Sequence, residues 1–163
     1  MIGLAQAVAG LVAVQRLAEL AYSRANERRL RHQGGREHGA GHYPLLVGLH
    51  AAWLAAIAVT VPPDAPVSIP LLAVFVALQG ARVWIIASLG ARWTTRVLVV
   101  PGEKLVSRGA YRWLRHPNYA VVAAEIAVLP AAFNAWEIAI PFGIANLAVL
   151  GWRIRVEENA LQR

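Results

Sequence analysis

Cysteine is absent from the 163 residues. That excludes disulfides, thiolate nucleophiles and cysteine-based metal sites. Acid is scarce: nine Asp and Glu stand against sixteen Lys and Arg, a formal net charge of +7. Charged residues make up only 15% of the chain, against 58% hydrophobic, with mean hydropathy +0.48. So little charge excludes an ordinary soluble domain and points to a polytopic membrane protein. The N-terminus lacks the basic stretch and small-residue cleavage site of a signal peptide, so its first apolar run is expected to be retained.

What is present falls into five apolar runs, about 2–22, 44–61, 67–89, 119–133 and 136–158. They predict an all-α single membrane domain over 1–163 with five transmembrane helices. The break at Asn134-Ala135 is short, so the last two runs read as a helical hairpin, followed by a helical tail. The runs are joined by polar connections at 23–43 and 90–118. These carry five and six basic residues, the tail from Arg153 carries three, and the other two connections carry none. That asymmetry is a positive-inside pattern with the N-terminus outside and the C-terminus in the cytoplasm. It accounts for the basic pI without nucleic acid.

Polar residues interrupt the runs. Gln15, Glu19, Tyr22 and Asn26 share one helical face, which should turn toward other helices. His50 is expected to be hydrogen-bonded between helices. Arg82 is costly in a membrane unless paired, and Glu125 is its obvious partner; a structural pair and a substrate-binding role weigh about equally. His38 and His42 have metal-like spacing, but Gly39 and Gly41 argue against a helix there and no third ligand follows. No metal is expected.

Two segments carry the chemistry. Gly109-Ala-Tyr-Arg-Trp-Leu-Arg-His-Pro-Asn-Tyr119 packs Arg, His and aromatic side chains directly before an apolar run. Pro117 disfavours a helix across itself, and Asn118 favours a turn or cap. Such a segment grips an anionic or aromatic-bearing cofactor, or serves as a basic juxtamembrane collar. Val97-Leu-Val-Val100, before the turn at Pro101-Gly102, either dips into the membrane interface or covers a pocket. In the last helix Asn146, Arg153 and Glu157 form one polar stripe, and Arg153 can pair with Glu157 at i, i+4.

The Gly109–Tyr119 segment, the hairpin and Arg153-Ile-Arg-Val-Glu-Glu158 together resemble the isoprenylcysteine carboxyl methyltransferase family. The resemblance covers about 90–161. It implies an integral membrane enzyme that uses S-adenosylmethionine without a Rossmann domain. It implies that Tyr111, Arg115, His116, Pro117 and Tyr119, with Glu157 and Glu158, form the cofactor site. His116, Arg153 and Glu157 are then the candidate catalytic residues. Two departures stand out: many relatives have Gly where Val121 stands, and Glu125 is not a general family feature.

Arg92-Trp-Thr-Thr-Arg96, His116–Tyr119 with Glu125, and Gly41-His-Tyr-Pro44 look similar to small bacterial membrane methyltransferases associated with type III polyketide synthases. That likeness implies a bacterial inner-membrane enzyme with a functional link to a polyketide synthase. Its acceptor would be a lipophilic alkylpyrone or phenolic lipid, methylated on a ring hydroxyl, with prenyl-cysteine carboxylate as the alternative. Trp93, Trp113, Glu125 and Asn146 are the candidate substrate residues. An enolic pyrone hydroxyl or a carboxylate arrives ionised, whereas a phenol of pKa about 10 needs a base. Partners are the lipophilic acceptor and membrane lipid. Outside enzymes, a small transporter component or a membrane scaffold also fits the intramembrane charges and the basic face.

Overall fold

The computed structural model describes residues 2–104 and 106–161, and of His42 only the backbone. Five helices make up most of it: α1 (Leu4–His32), α2 (Tyr43–Thr60), α3 (Ile69–Leu89), α4 (Pro117–Ala132) and α5 (Trp136–Leu161). Four segments are long and apolar enough to cross a membrane: α1, α2, α3 with the turn that extends it to Arg92, and α5. The fifth expected span, α4, has 16 residues. At helical rise that is about 24 Å, short of the roughly 30 Å of a bilayer core.

The connection expected from Ser23 begins later, because α1 continues to His32. The segment Ser23–His32 is charged but rich in helix formers, and Arg29, Arg31 and His32 in the last turn suit the helix dipole. Charge had suggested a loop; the face carrying buried Ser23, Asn26 and Leu30 makes it a helix. The stop comes at Gly34, with φ of 87°, and Gly35 N–H donates to the Leu30 carbonyl at 2.8 Å.

The departure from an all-helical reading is a two-stranded antiparallel ribbon of β1 (Arg36–His38) and β2 (Val97–Val99). Its register pairs Arg36 with Val99, Glu37 with Leu98 and His38 with Val97. The ribbon ties the two basic connections together. Glu37 reinforces it with ion pairs to Arg31 and Arg96, and the Arg96 guanidinium lies 4.1 Å over the Tyr43 ring.

Neighbouring helices run antiparallel. At one end Gln6 Nε2 donates to the Val61 carbonyl at 2.6 Å, and Ser68 N–H donates to the Ala132 carbonyl at 2.8 Å. At the other end Asn26 Nδ2 donates to the Trp93 carbonyl at 2.8 Å. The connections 33–42 and 90–116 and the end of α5 therefore share one end, which carries the basic residues. The apolar core, with Trp53, Ile57, Phe75, Ile126, Leu129 and Phe133, lies toward the opposite end. Leu11, Val14, Val76, Val83, Ile140 and Ile144 are exposed on the outer faces of their helices, as lipid-facing residues are.

The hairpin between α4 and α5 turns at Asn134, whose φ of 58° is a conformation Asn tolerates. Pro117 is the first residue of α4, where its missing N–H costs nothing. Gly109 has φ of 57°, and a Cβ there would lie 2.1 Å from Ser88 Oγ. Only glycine lets the 109–112 turn approach α3 this closely.

Candidate active site

Two cavities meet at the basic end. One, of about 490 Å³, lies between β2, residues 100–104 and 106–107, the start of α4 and the end of α5; Arg96, Tyr111, Arg115, His116 and Glu157 are in its wall. The other, of about 440 Å³, lies between α1 and α2 and is walled largely by apolar residues such as Leu17, Leu20, Leu46, Val47 and Leu54. Both volumes fall within the roughly 300–1,000 Å³ of small-molecule sites. Trp93, Thr94, Asn118, Tyr119 and Arg153 line both cavities. They form a partition with a polar chamber on one side and an apolar chamber on the other.

The partition is built from three chain segments. Tyr119 stands in the first turn of α4, and its hydroxyl accepts from Arg153 Nε at 2.8 Å and donates to Glu157 Oε2. Arg153 is buried at 6% exposure. Its Nη2 donates to the Thr95 carbonyl at 2.7 Å, and its guanidinium lies 5.5 Å from the Tyr119 ring centre. Arg153 and Glu157 are thus joined through the Tyr119 hydroxyl. The His116 ring stacks on Tyr119 at 5.4 Å, with Nδ1 at 3.7 Å from Glu157 and Nε2 at 3.5 Å from Glu158. Trp93 is held by a stack with Tyr22 at 6.1 Å.

Arg115 also pairs with Glu158, at 3.4 Å, but its side chain is 70% exposed. Burial, and after it the Glu157 charge, pushes the Tyr111 hydroxyl up. Tyr111 therefore stays protonated at neutral pH, a donor and not a phenolate base. Pro117 is fully buried; it sets the start of α4 and offers no donor.

Of the candidate substrate residues, only Trp93 reaches the partition. Trp113 is 76% exposed and lines a separate apolar groove with Trp84 and Leu114. Its place in a consecutive aromatic run suggested proximity, but the 109–112 turn carries it toward α3. Asn146 is fully enclosed, and neither amide atom has a protein partner. Glu125, at 1% exposure, sits in a buried ion cluster. Its expected partner Arg82 is only 3.5 Å away, yet the tighter pairs are Arg16 with Glu125 at 2.7 Å and Arg82 with Glu19 at 2.6 Å. Arg16 and Glu19 on α1 lie at the same depth, which spacing within one run does not reveal. His50 bonds the Leu46 carbonyl of its own helix at 2.9 Å, and not another helix.

Sequence reasoning missed Thr94, Thr95 and Asn118 as site residues. The sequence predicts a turn or cap at Asn118, but Asn118 lies inside the first turn of α4, and its Oδ1 is buried with no partner in the wall between the chambers. Its place in the His-Pro-Asn-Tyr run was the available signal. No group of three or more metal-ligating side chains occurs among the described residues.

The model of the isoprenylcysteine carboxyl methyltransferase (ICMT) family matches residues 71–163, from early α3 onward. A protein of Bacillus subtilis (strain 168), named uncharacterized protein YpbQ, is 42% identical over 156 residues, covering 93% of each chain.

Proposed function

This chain belongs to the isoprenylcysteine carboxyl methyltransferase family, a family of methyltransferases, and from that membership we propose that it transfers methyl groups from S-adenosylmethionine to an oxygen of a lipophilic acceptor inside the membrane. The observation that carries the proposal is the shared partition: a polar chamber and an apolar chamber meet at Tyr119, Asn118 and Arg153.

The residues of the polar chamber fit the cofactor. Aromatic faces at Tyr111, Tyr119 and Trp93 suit an adenine ring and a sulfonium. Glu157 suits an ammonium group, with Glu158 behind Arg115 and His116, Arg115 suits a carboxylate, and the unpartnered Asn118 Oδ1 an N–H or hydroxyl donor. When bound, S-adenosylmethionine supplies an electrophilic methyl group on a positively charged sulfur. The chain supplies orientation and a dry setting, which favours a reaction in which opposite charges neutralise.

Arg153 is the residue for the acceptor oxygen. It lines both chambers, and its guanidinium is pinned on two sides, by the Tyr119 hydroxyl and the Thr95 carbonyl. An oxyanion in the apolar chamber meets this fixed charge. For an enolic pyrone the oxygen is already ionised. For a phenol, His116 or Glu157, in the polar-chamber wall on the far side of Tyr119, would take the proton as the oxygen bonds the methyl carbon and that carbon's bond to sulfur breaks.

The acceptor we propose is the ring hydroxyl of an alkylpyrone or phenolic lipid, a product that a type III polyketide synthase would supply. A long chain suits the apolar chamber and holds the acceptor in the bilayer, at about 0.8 kcal/mol per methylene removed from water. Carboxyl methylation of a prenylated cysteine is the second reading, favoured by the family's name and by Arg153, which suits a carboxylate equally. The proposed setting is the bacterial inner membrane, with the basic end and the polar chamber in the cytoplasm.

The test uses purified protein and labelled cofactor, with a synthetic alkylpyrone and a farnesylated cysteine analogue in competition. Saturable cofactor binding and a methylated pyrone are expected by mass. A cysteine methyl ester in preference would replace the acceptor and keep the chemistry. No cofactor binding would overturn the proposal.

A further inference from the structure

The apolar chamber has a second polar patch that methyl transfer leaves unused. Arg16, Glu19, His50 and Arg82 are in its wall. Arg16 lies seven residues along α1 from Ser23, whose hydroxyl bonds Thr95 beside the partition at 2.9 Å. Glu125, which Arg16 holds, lies six residues along α4 from Tyr119. At helical rise both place the patch about 10 Å deeper in the membrane than the partition.

The patch is closed in charge but open in hydrogen bonding. Arg82 bonds both Glu19 oxygens, at 2.7 and 2.6 Å. Arg16 spans Glu19 at 3.0 Å and Glu125 at 2.7 Å. Two positive and two negative groups thereby cancel, as burial in a membrane requires. Yet Arg16 Nη2, with two N–H groups, has one carboxylate partner, Glu125. His50 Nδ1 is bonded to the Leu46 carbonyl. A carbonyl only accepts, so Nδ1 carries the proton and Nε2 keeps a free lone pair, on a side chain that lines the chamber. Pairing for stability alone does not explain a free imidazole lone pair in the wall of a ligand-sized space, beside Arg16, which lines the same space and whose Nη2 has two N–H groups for its one carboxylate partner.

We propose that this patch reads a second hydroxyl on the acceptor, uncharged and carried about 10 Å from the oxygen that is methylated. The hydroxyl donates to His50 Nε2 and accepts from Arg16. An ionised group is rejected, because it adds net charge to a neutral cluster in a low-dielectric wall. The inference rests on the apolar chamber being the acceptor site, and it narrows the acceptor from any long-chain phenol or pyrone to one oxygenated along its chain.

The experiment uses three probes: a 3-alkylphenol, the same phenol with a chain hydroxyl about 10 Å from the phenolic oxygen, and the same phenol with a carboxylate there. Methylation kinetics and quenching of tryptophan fluorescence without cofactor are measured in parallel. The hydroxylated probe should bind about tenfold tighter and show the difference in KM, the upper end for a neutral hydrogen bond. The carboxylate should bind worst. His50→Leu should erase the preference, and His50→Gln, which keeps an acceptor oxygen, should restore part of it; thermal unfolding checks that both fold. Equal binding of plain and hydroxylated probes, or a preference that survives His50→Leu, overturns the inference and leaves the methyl-transfer proposal intact. Selective, His50-dependent binding without methylation does the reverse. Binding of none of the probes overturns the inference and, with it, the phenolic acceptor, while methyl transfer itself stands or falls with cofactor binding.

Discussion

The Tyr119 hydroxyl ties the start of α4 to two residues of α5. It receives Arg153 and gives its proton to Glu157, while its ring carries His116. Tyr119→Phe removes both hydrogen bonds and keeps the stack. Each bond involves a charged partner, and such bonds are worth about 1.5–3 kcal/mol. Methyl transfer should fall about 10- to 100-fold in kcat, and the melting temperature should fall by several degrees without loss of the fold, because Arg153 keeps its bond to Thr95 but loses its fixed angle. Steady-state kinetics on folded protein decides it, and a change within about twofold would remove the hydroxyl from the chemistry. The Arg115–Glu158 pair belongs to another class. It is solvent-exposed, and such pairs contribute about 0–1 kcal/mol. Membership of the two motifs does not separate the roles of Arg115 and Arg153; burial does.

Among the elements, the β1–β2 ribbon is the one that hydropathy alone did not announce. Val97–Val100 reads as an apolar patch, and Arg36–His38 as polar loop. Their pairing is non-local, and it closes the polar chamber with β2 as one wall. Glu37 couples the ribbon to pH. Burial by itself raises its carboxyl, but hydrogen bonds from Arg96 and Arg31, with their charges, overcome this and hold it below the ordinary 4.5. A lowered folded value means that the carboxylate's contribution is fully present above that ordinary value. It is lost as pH falls through the lower folded value. Amides of Val97–Val99 should therefore be protected from hydrogen exchange at pH 7 and lose protection only on acidification below the ordinary 4.5. Glu37→Gln should show weakened protection already at pH 7 and little further change on acidification. Ribbon protection in Glu37→Gln equal to wild type at both pH values would show that the β ladder alone holds it.

At the level of the whole molecule, the arginines gather at one end and the opposite end holds the apolar core. The positive-inside rule then predicts which end meets the cytoplasm. With no native cysteine to remove, Asp64→Cys, Gln33→Cys and Arg155→Cys can be made singly. In intact cells an impermeant maleimide should label position 64 alone, and the other two only after permeabilisation. The reverse pattern would place the polar chamber away from a cytosolic cofactor and sink the proposed function with the orientation. The tail residues Gln162 and Arg163 lie outside the described residues, so Arg155 serves as the tail reporter.

By itself, the sequence determined that this is a helical membrane protein with asymmetric basic connections, and it drew attention to the two segments that meet at Tyr119 and Arg153. Those properties are local: hydropathy over twenty residues, a charge count per connection, a proline at a helix start. Tertiary structure decided the rest. It extended α1 to His32, gave Glu19 to Arg82 and Glu125 to Arg16, sent Trp113 to a separate groove, and enclosed Asn146. It also divided the basic end into two chambers with Asn118 between them. Each of these depends on how far one helix is rotated and slid against the next, which packing sets and a single run of residues does not encode.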